Sequence, residues 1–168
     1  MNFYDAFETE FGPFSVAVDE TGAGIATAFD GPERLREFGL NPDTMTRDPG
    51  RIAHVRAQLE EYFAGRRSRF DLALAPSGTP FRLKVWQALR DIPYGETRSY
   101  GDLARALGSS PRAIGGANGA NPLCPIVGCH RVIGADGSLT GFGYGVDLKK
   151  RLLEMEAAVV AMKSPLTV

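Results

Sequence analysis

Residues 99–120 read Ser-Tyr-Gly-Asp-Leu-Ala-Arg-Ala-Leu-Gly-Ser-Ser-Pro-Arg-Ala-Ile-Gly-Gly-Ala-Asn-Gly-Ala. Ser99, with the acidic Asp102 three residues later, is a capping-box start for a helix over 100–107. Gly108-Ser-Ser-Pro is a tight turn, and Pro111 opens a second helix where its missing N–H is not needed. Two short helices joined in this way are a helix-turn-helix signature.

A helix that reads DNA bases usually presents long polar side chains. This second helix does not. Ala113, Gly116, Ala117 and Ala120 fall at i, i+3, i+4 and i+7, and Gly115 and Gly119 bare the surface further. A glycine inside a helix costs about 1 kcal/mol relative to alanine, so close approach to another surface must offset it. One such surface is a neighbouring helix of the same chain. The other is the DNA minor groove, about 6 Å wide, against a helix with ordinary side chains about 10–12 Å across. In the second reading Arg112, at the head of the helix, is the one long side chain able to enter the duplex.

Upstream, Thr79 then Pro80 is a cap followed by a first-turn proline, and Phe81, Val85, Trp86, Leu89 and Ile92 line one face of the helix that follows. Pro93-Tyr94-Gly95 ends it. Ala-Pro-Ser-Gly-Thr-Pro at 75–80 reads as a linker. The first half is different in kind. Phe14, Val16 and Val18 alternate, as do Ile25, Thr27 and Phe29, with a turn at 19–24 between two strands. Residues 31–49 are rich in Pro, Gly, Asp and Arg and read as irregular. Ile52, Val55, Leu59 and Phe63 mark a helix stopped by Gly65, with His54 an ordinary residue on it. Phe70, Leu72 and Leu74 alternate as one more strand. Near the end, Gly134-Ala-Asp-Gly-Ser is a hairpin-type turn, and Asp147 caps a last helix carrying Leu148, Leu152 and Met155.

The chain has 168 residues, 43% of them hydrophobic, which suits one domain or two small ones with a real core. Its formal charge of −1 is unevenly spread. Residues 1–76 hold 8 Lys and Arg against 13 Asp and Glu, while residues 77–168 hold 11 against 7. An anionic partner therefore docks on the second half. No apolar run nears the roughly 20 residues that span a membrane, and the N-terminus has no signal-like core. A reducing, cytoplasmic setting is expected.

Between these helices and the end lies Asn-Pro-Leu-Cys-Pro-Ile-Val-Gly-Cys-His-Arg-Val-Ile, 121–133. Only two cysteines and two histidines occur in the chain, and one of each meets at Cys129-His130. A thiol is a good nucleophile only as the thiolate, so it needs a base or a positive field beside it. Adjacent side chains on an extended strand point apart, so this pair cooperates only at a bend or through a bridging water. The other reading is a buried cysteine packed as a small hydrophobe, with the histidine capping a strand. Cys124 reads as a small neutral filler. Two cysteines five apart, with His54 distant in sequence, do not suggest a metal site.

Tyr100 in Ser-Tyr-Gly-Asp-Leu-Ala, Arg112 to Ala117, Asn121-Pro122, Cys129 through Gly134, Gly137 and Thr140-Gly141 together resemble the O6-alkylguanine-DNA alkyltransferases, or methylated-DNA–protein-cysteine methyltransferases. The resemblance is close over 80–157 and looser before it. It implies an α+β fold: a small N-terminal ribonuclease-H-like α/β domain over 1–76, then a helical, winged-helix-like DNA-binding and catalytic domain over 80–168. It implies a single-turnover enzyme that flips O6-alkylguanine, and O4-alkylthymine, out of duplex DNA through the minor groove and moves the alkyl group irreversibly to Cys129. By similarity, His130 takes the thiol proton through a water and Glu156 orients His130. Asn121 supports the reactive loop. Tyr100 assists base rotation and donates a proton. Arg112 replaces the flipped base, and Ala113, Gly115, Gly116 and Ala117 contact DNA. Val132, Phe142, Gly143 and Gly128 line the pocket. No cofactor or metal is implied, and the protein is expected to act as a monomer, with cooperative binding on DNA left open.

The family usually has proline where this chain has Gly128, tyrosine at Phe142 and glycine at Tyr144. Glycine in place of proline is expected to loosen the backbone before the nucleophile. That keeps a second function open: a catalytically impaired, base-flipping lesion-binding protein of the alkyltransferase-like kind.

Overall fold

The computed structural model describes residues 1–139 and 141–163; Thr140, one of the residues carrying the resemblance, lies outside them. The first half is built on a sheet of order β3-β2-β1-β4, formed by β1 (Phe3–Thr9), β2 (Gly12–Val18), β3 (Gly24–Ala28) and the two-residue β4 (Thr46–Arg47). β1, β2 and β3 are antiparallel neighbours, and β4 runs parallel to β1. Phe14, Val16 and Val18 on one face of β2 are buried against α1 (Pro49–Phe63), which brings Ile52, Val55, Leu59, Tyr62 and Phe63. Ala17 and Ala26 on the opposite face leave room for Leu35, from a 3₁₀ turn over Pro32–Phe38. The stretch expected to be irregular thus holds that turn, a second one at Pro42–Thr44, and β4.

On β1 the buried Asp5 is satisfied by Arg47 Nε at 2.7 Å. One expectation in this half changes. The strand expected over Phe70–Leu74 does not form. Only Leu74 bridges to Gly24 at the start of the outer strand β3, and further along that edge Thr27 bridges Leu123 instead.

The second half follows the capping signals. Thr79 caps α2 (Pro80–Arg90), with Val85, Trp86 and Leu89 buried; Phe81, expected on that face, is 37% exposed in the first turn. Ser99 and Asp102 form the reciprocal capping box of α3 (Tyr100–Leu107), and Gly108 ends it with φ of 62°, a left-handed conformation that favours glycine. Ser110 caps α4 (Pro111–Gly119). A short parallel pair joins β5 (Arg98–Ser99) to β6 (Val132–Ile133), and the turn at 134–138 closes with Gly134 N–H donating to Ser138 O. The last helix, α5 (Val146–Lys163), starts two residues earlier than expected, so Asp147 lies in its first turn rather than at its cap.

The segment at 75–80 does not separate two cores. Buried residues of both halves form one cluster, from Phe14 and Tyr62 to Trp86, Ile114 and Leu152. Two hydrogen bonds tie β3 to the segment before Cys129: Thr27 N–H donates to Pro122 O and Thr27 Oγ1 to Cys124 O, both at 2.8 Å.

Candidate active site

The segment after α4 is held from inside by asparagines. The Asn121 carboxamide accepts from Leu123 N–H at 3.0 Å and donates to Val127 O at 2.9 Å, which closes the loop. Asn118, buried on α4, donates to Cys129 O at 3.3 Å and so joins the outer helix to the nucleophile. Cys129, His130 and Arg131 then form one 3₁₀ turn, with Cys129 5% and His130 0% exposed. Three residues per turn send successive side chains in different directions, so the pair sits at a bend and not on a strand.

His130 Nε2 lies 2.7 Å from Glu156 Oε2 on α5. Arg131 donates to the same carboxylate through Nε and Nη2, at 2.9 and 3.0 Å, and through Nη1 to Ile92 O. Gly95 N–H adds a bond at 3.1 Å and the Tyr62 hydroxyl another at 2.6 Å. Burial opposes charge on Glu156, but the bonds and charges of His130 and Arg131 outweigh it and hold the carboxyl well below the usual carboxylate range. His130 moves the other way in charge: burial keeps it below its ordinary value although Glu156 favours the proton, so the imidazole is neutral. Its Nδ1 has no hydrogen-bond partner among the described residues.

The Cys129 thiol is held below its ordinary value. The largest cause is a hydrogen bond with the neighbouring Cys124; burial opposes it, while Asn121 and the Lys149 ammonium add to it. Cys124, fully buried, is pushed well above its ordinary value and stays a neutral donor. Lys149 lies close by, with Nζ donating to Val132 O at 2.5 Å and 6.0 and 5.9 Å from the Tyr100 and Phe142 ring centroids. The Tyr100 phenol is raised, first by burial and then by the negative charge of Cys129, which places it on the same site. Gly143 O accepts from Arg34 Nη2 at 3.0 Å, and that guanidinium stacks over the Tyr144 ring at 4.5 Å.

The structure therefore brings Cys129, His130, Glu156, Asn121, Tyr100, Val132 and Phe142 together, with Gly143 at the rim. Arg112 stands apart, exposed on the first turn of α4. Ala113 and Gly115 are half-buried and Gly116 is exposed, but Ala117 is not on the open face. It is 3% exposed because it belongs to the core stripe with Ile114 and Asn118, and its carbonyl accepts from Trp86 Nε1. A Cβ added at Gly116 or Gly119 meets nothing within 4 Å, so no intramolecular packing explains either glycine. Gly128 caps the turn that carries Cys129. Its φ of −77° lies in the range proline itself holds, and Arg131 packs against it. Tyr62, Arg34, Asn118 and Lys149 had no signal in the sequence; each joins the site through a contact distant along the chain.

A buried thiol held below its ordinary value, next to a neutral histidine and its buried carboxylate and behind a helix-turn-helix, marks a helix-turn-helix protein with a candidate cysteine centre. The model of the 6-O-methylguanine DNA methyltransferase DNA-binding domain matches residues 80–158. The methylated-DNA–protein-cysteine methyltransferase of Methanosarcina acetivorans is 43% identical over 158 residues, 93% of this chain and 99% of that one. The constitutive enzyme of Bacillus subtilis is 43% identical over 160 residues, 93% and 96%. The crystal structure of Mycobacterium tuberculosis OGT in complex with DNA superposes with a TM-score of 0.83 at 40% identity, covering 94% of each chain. The chain belongs to the methylated-DNA–protein-cysteine methyltransferase family.

Proposed function

We propose that this protein repairs duplex DNA by taking the alkyl group of O6-alkylguanine, and of O4-alkylthymine, onto Cys129 in a single irreversible turnover. The thiolate sulfur attacks the alkyl carbon. An S–C bond forms, the C–O6 bond breaks with its electron pair going to O6, and the guanine takes up one proton, balancing the one the thiol lost. The thioether cannot be hydrolysed, so the protein is consumed and no cofactor takes part. The observation that carries this reading is the low-pKa Cys129 beside the neutral His130, whose Nε2 is held by Glu156. It has the logic of a hydrolase triad, with His130 Nδ1 taking the thiol proton through a water.

The unexplained open glycines of α4 support docking in the minor groove. Arg112 fills the place of the flipped base, Tyr100 assists its rotation and donates to it, and Val132, Phe142 and Gly143 wall the pocket. The second reading, a catalytically impaired lesion binder, draws on Gly128, whose φ lies where proline's would; the curated relatives' names favour the first reading. The sheet with α1 packed on β1 and β2 fits a ribonuclease-H-like N-terminal domain over 1–76; α3, α4 and the β6 turn fit a winged-helix-like domain over 80–168. No described helix is long and apolar enough to cross a membrane. Two free buried cysteines suit a reducing cytoplasm, and the protein acts as a monomer, cooperative or not on DNA.

The test is intact mass after incubation with duplex DNA carrying O6-methylguanine. A gain of one methyl on Cys129, absent in Cys129→Ser, is expected. Tight binding to lesion DNA with no mass change would restore the lesion-binding reading.

A further inference from the structure

One of the donors to Glu156 comes from the other half of the chain. Tyr62, in the last turn of α1, is fully buried among Phe63, Phe70 and Tyr94. Its hydroxyl donates to Glu156 Oε2 at 2.6 Å, and the same oxygen lies 3.4 Å from His130 Nε2. Burial, then the charge of Glu156, push the phenol well above its ordinary value, so it keeps its proton at any working pH. That single proton is already used on the carboxylate. His130 Nε2 therefore faces two oxygens that can only accept from it. A neutral imidazole carries its hydrogen on one nitrogen and its lone pair on the other. Nε2 must hold the hydrogen, which leaves the lone pair on Nδ1.

We infer that Tyr62 is a positioning residue for alkyl transfer: its hydroxyl, delivered by the N-terminal helix, locks His130 in the tautomer whose Nδ1 receives the Cys129 proton, and shares the charge of Glu156. This rests on Cys129 being the alkyl acceptor. In each turnover the proton moves from the thiol to Nδ1, and the imidazolium so formed is balanced by Glu156. Outer partners that fix a histidine tautomer in this way govern its basicity.

Tyr62→Phe keeps the ring and removes only the hydroxyl. Glu156 then loses a donor, its charge is less compensated, and His130 holds a proton more tightly. The neutral base is lost at higher pH. The acidic limb of the rate profile is expected to move upward in pH and the plateau to fall about tenfold, part of the roughly 10²–10⁴-fold that a positioned base contributes. Phe70→Leu serves as the packing control, because it loosens the same ring cluster and leaves the hydroxyl in place.

The experiment uses the full chain and two probes, iodoacetamide and free O6-benzylguanine, across about pH 5–9, the span of His and Cys titration. Mass mapping reads modification of Cys129, and thermal unfolding reads stability. A shifted limb in Tyr62→Phe, with lowered stability but an unmoved limb in Phe70→Leu, supports the inference. An unchanged rate and profile in Tyr62→Phe overturns it, as does an equal shift in Phe70→Leu. Failure of the alkyl-acceptor reading shows separately, as a wild-type protein that iodoacetamide modifies and O6-benzylguanine does not. The iodoacetamide profiles still decide the role of Tyr62 in that case.

Discussion

Gly116→Ala separates stability from DNA binding. Gly116 lies in the interior of α4, exposed, and a Cβ there meets nothing within 4 Å. Alanine in an open helical position is worth about 0.8–1 kcal/mol over glycine. For a chain of this size that raises Tm by roughly 2–4 °C. On DNA the same methyl stands on the face meant to approach the duplex. A methyl forced into a close-packed contact costs about 1–3 kcal/mol, which weakens binding roughly 5- to 150-fold. The assays are calorimetric Tm and anisotropy with a labelled duplex at one fixed salt concentration, since phosphate contacts make affinity salt-dependent. Reaction with free O6-benzylguanine serves as the control and should stay unchanged, because the pocket lies behind the helix. A variant that gains stability and binds duplex as tightly as wild type would refute this helix face as the docking surface. A fall in Tm would refute the open space around Gly116.

Arg112→Ala should slow repair of duplex far more than reaction with free O6-benzylguanine; equal losses on both substrates would argue against a role in replacing the flipped base. Thr27→Val removes the bond to the buried Cys124 carbonyl and should cost about 1–3 kcal/mol in urea unfolding, the penalty for an unsatisfied buried acceptor; a loss under 0.5 kcal/mol on this scale would mean the carbonyl finds another partner. Stability should fall on the acid side in two stages. His130 is depressed by burial, so its contribution is full above the unfolded value of about 6.5 and declines as the pH drops through it. Glu156 is depressed as well, so its contribution is full above about 4.3 and is lost below. Tm scans from neutral to acid pH check this, and a flat profile down to pH of about 4 would contradict the neutral histidine.

The helix-turn-helix was legible because its signals are local. Ser99 with Asp102, Ser110 with Pro111 and Thr79 with Pro80 each satisfy the backbone of their own first turn, so residue type and spacing suffice. The Cys129 segment was legible through resemblance, and its loop closes on Asn121 within a few residues. The misses share a cause too. Alternation at Phe70, Leu72 and Leu74 describes a strand only if a neighbour exists to pair with, and that depends on the sheet. Ala117 matched the bare face by spacing alone, yet a stripe shared with Ile114 turns it inward against Trp86. Tyr62 looks like any apolar-face residue of α1. Its hydroxyl matters only because α5 brings Glu156 beneath it, 94 positions later.

That order along the chain has a consequence for protein synthesis. Tyr62, Gly95, His130 and Arg131 are all made before the carboxylate they share. Glu156 follows Arg131 by 25 residues, and at about 5–20 residues per second the ribosome takes on the order of one to five seconds to add them. During that interval His130 has no buried anion to hold its Nε2, and Arg131 keeps its guanidinium in water. The buried network around Glu156, and the Lys149 ammonium that helps lower the Cys129 thiol, are complete only when the last helix arrives.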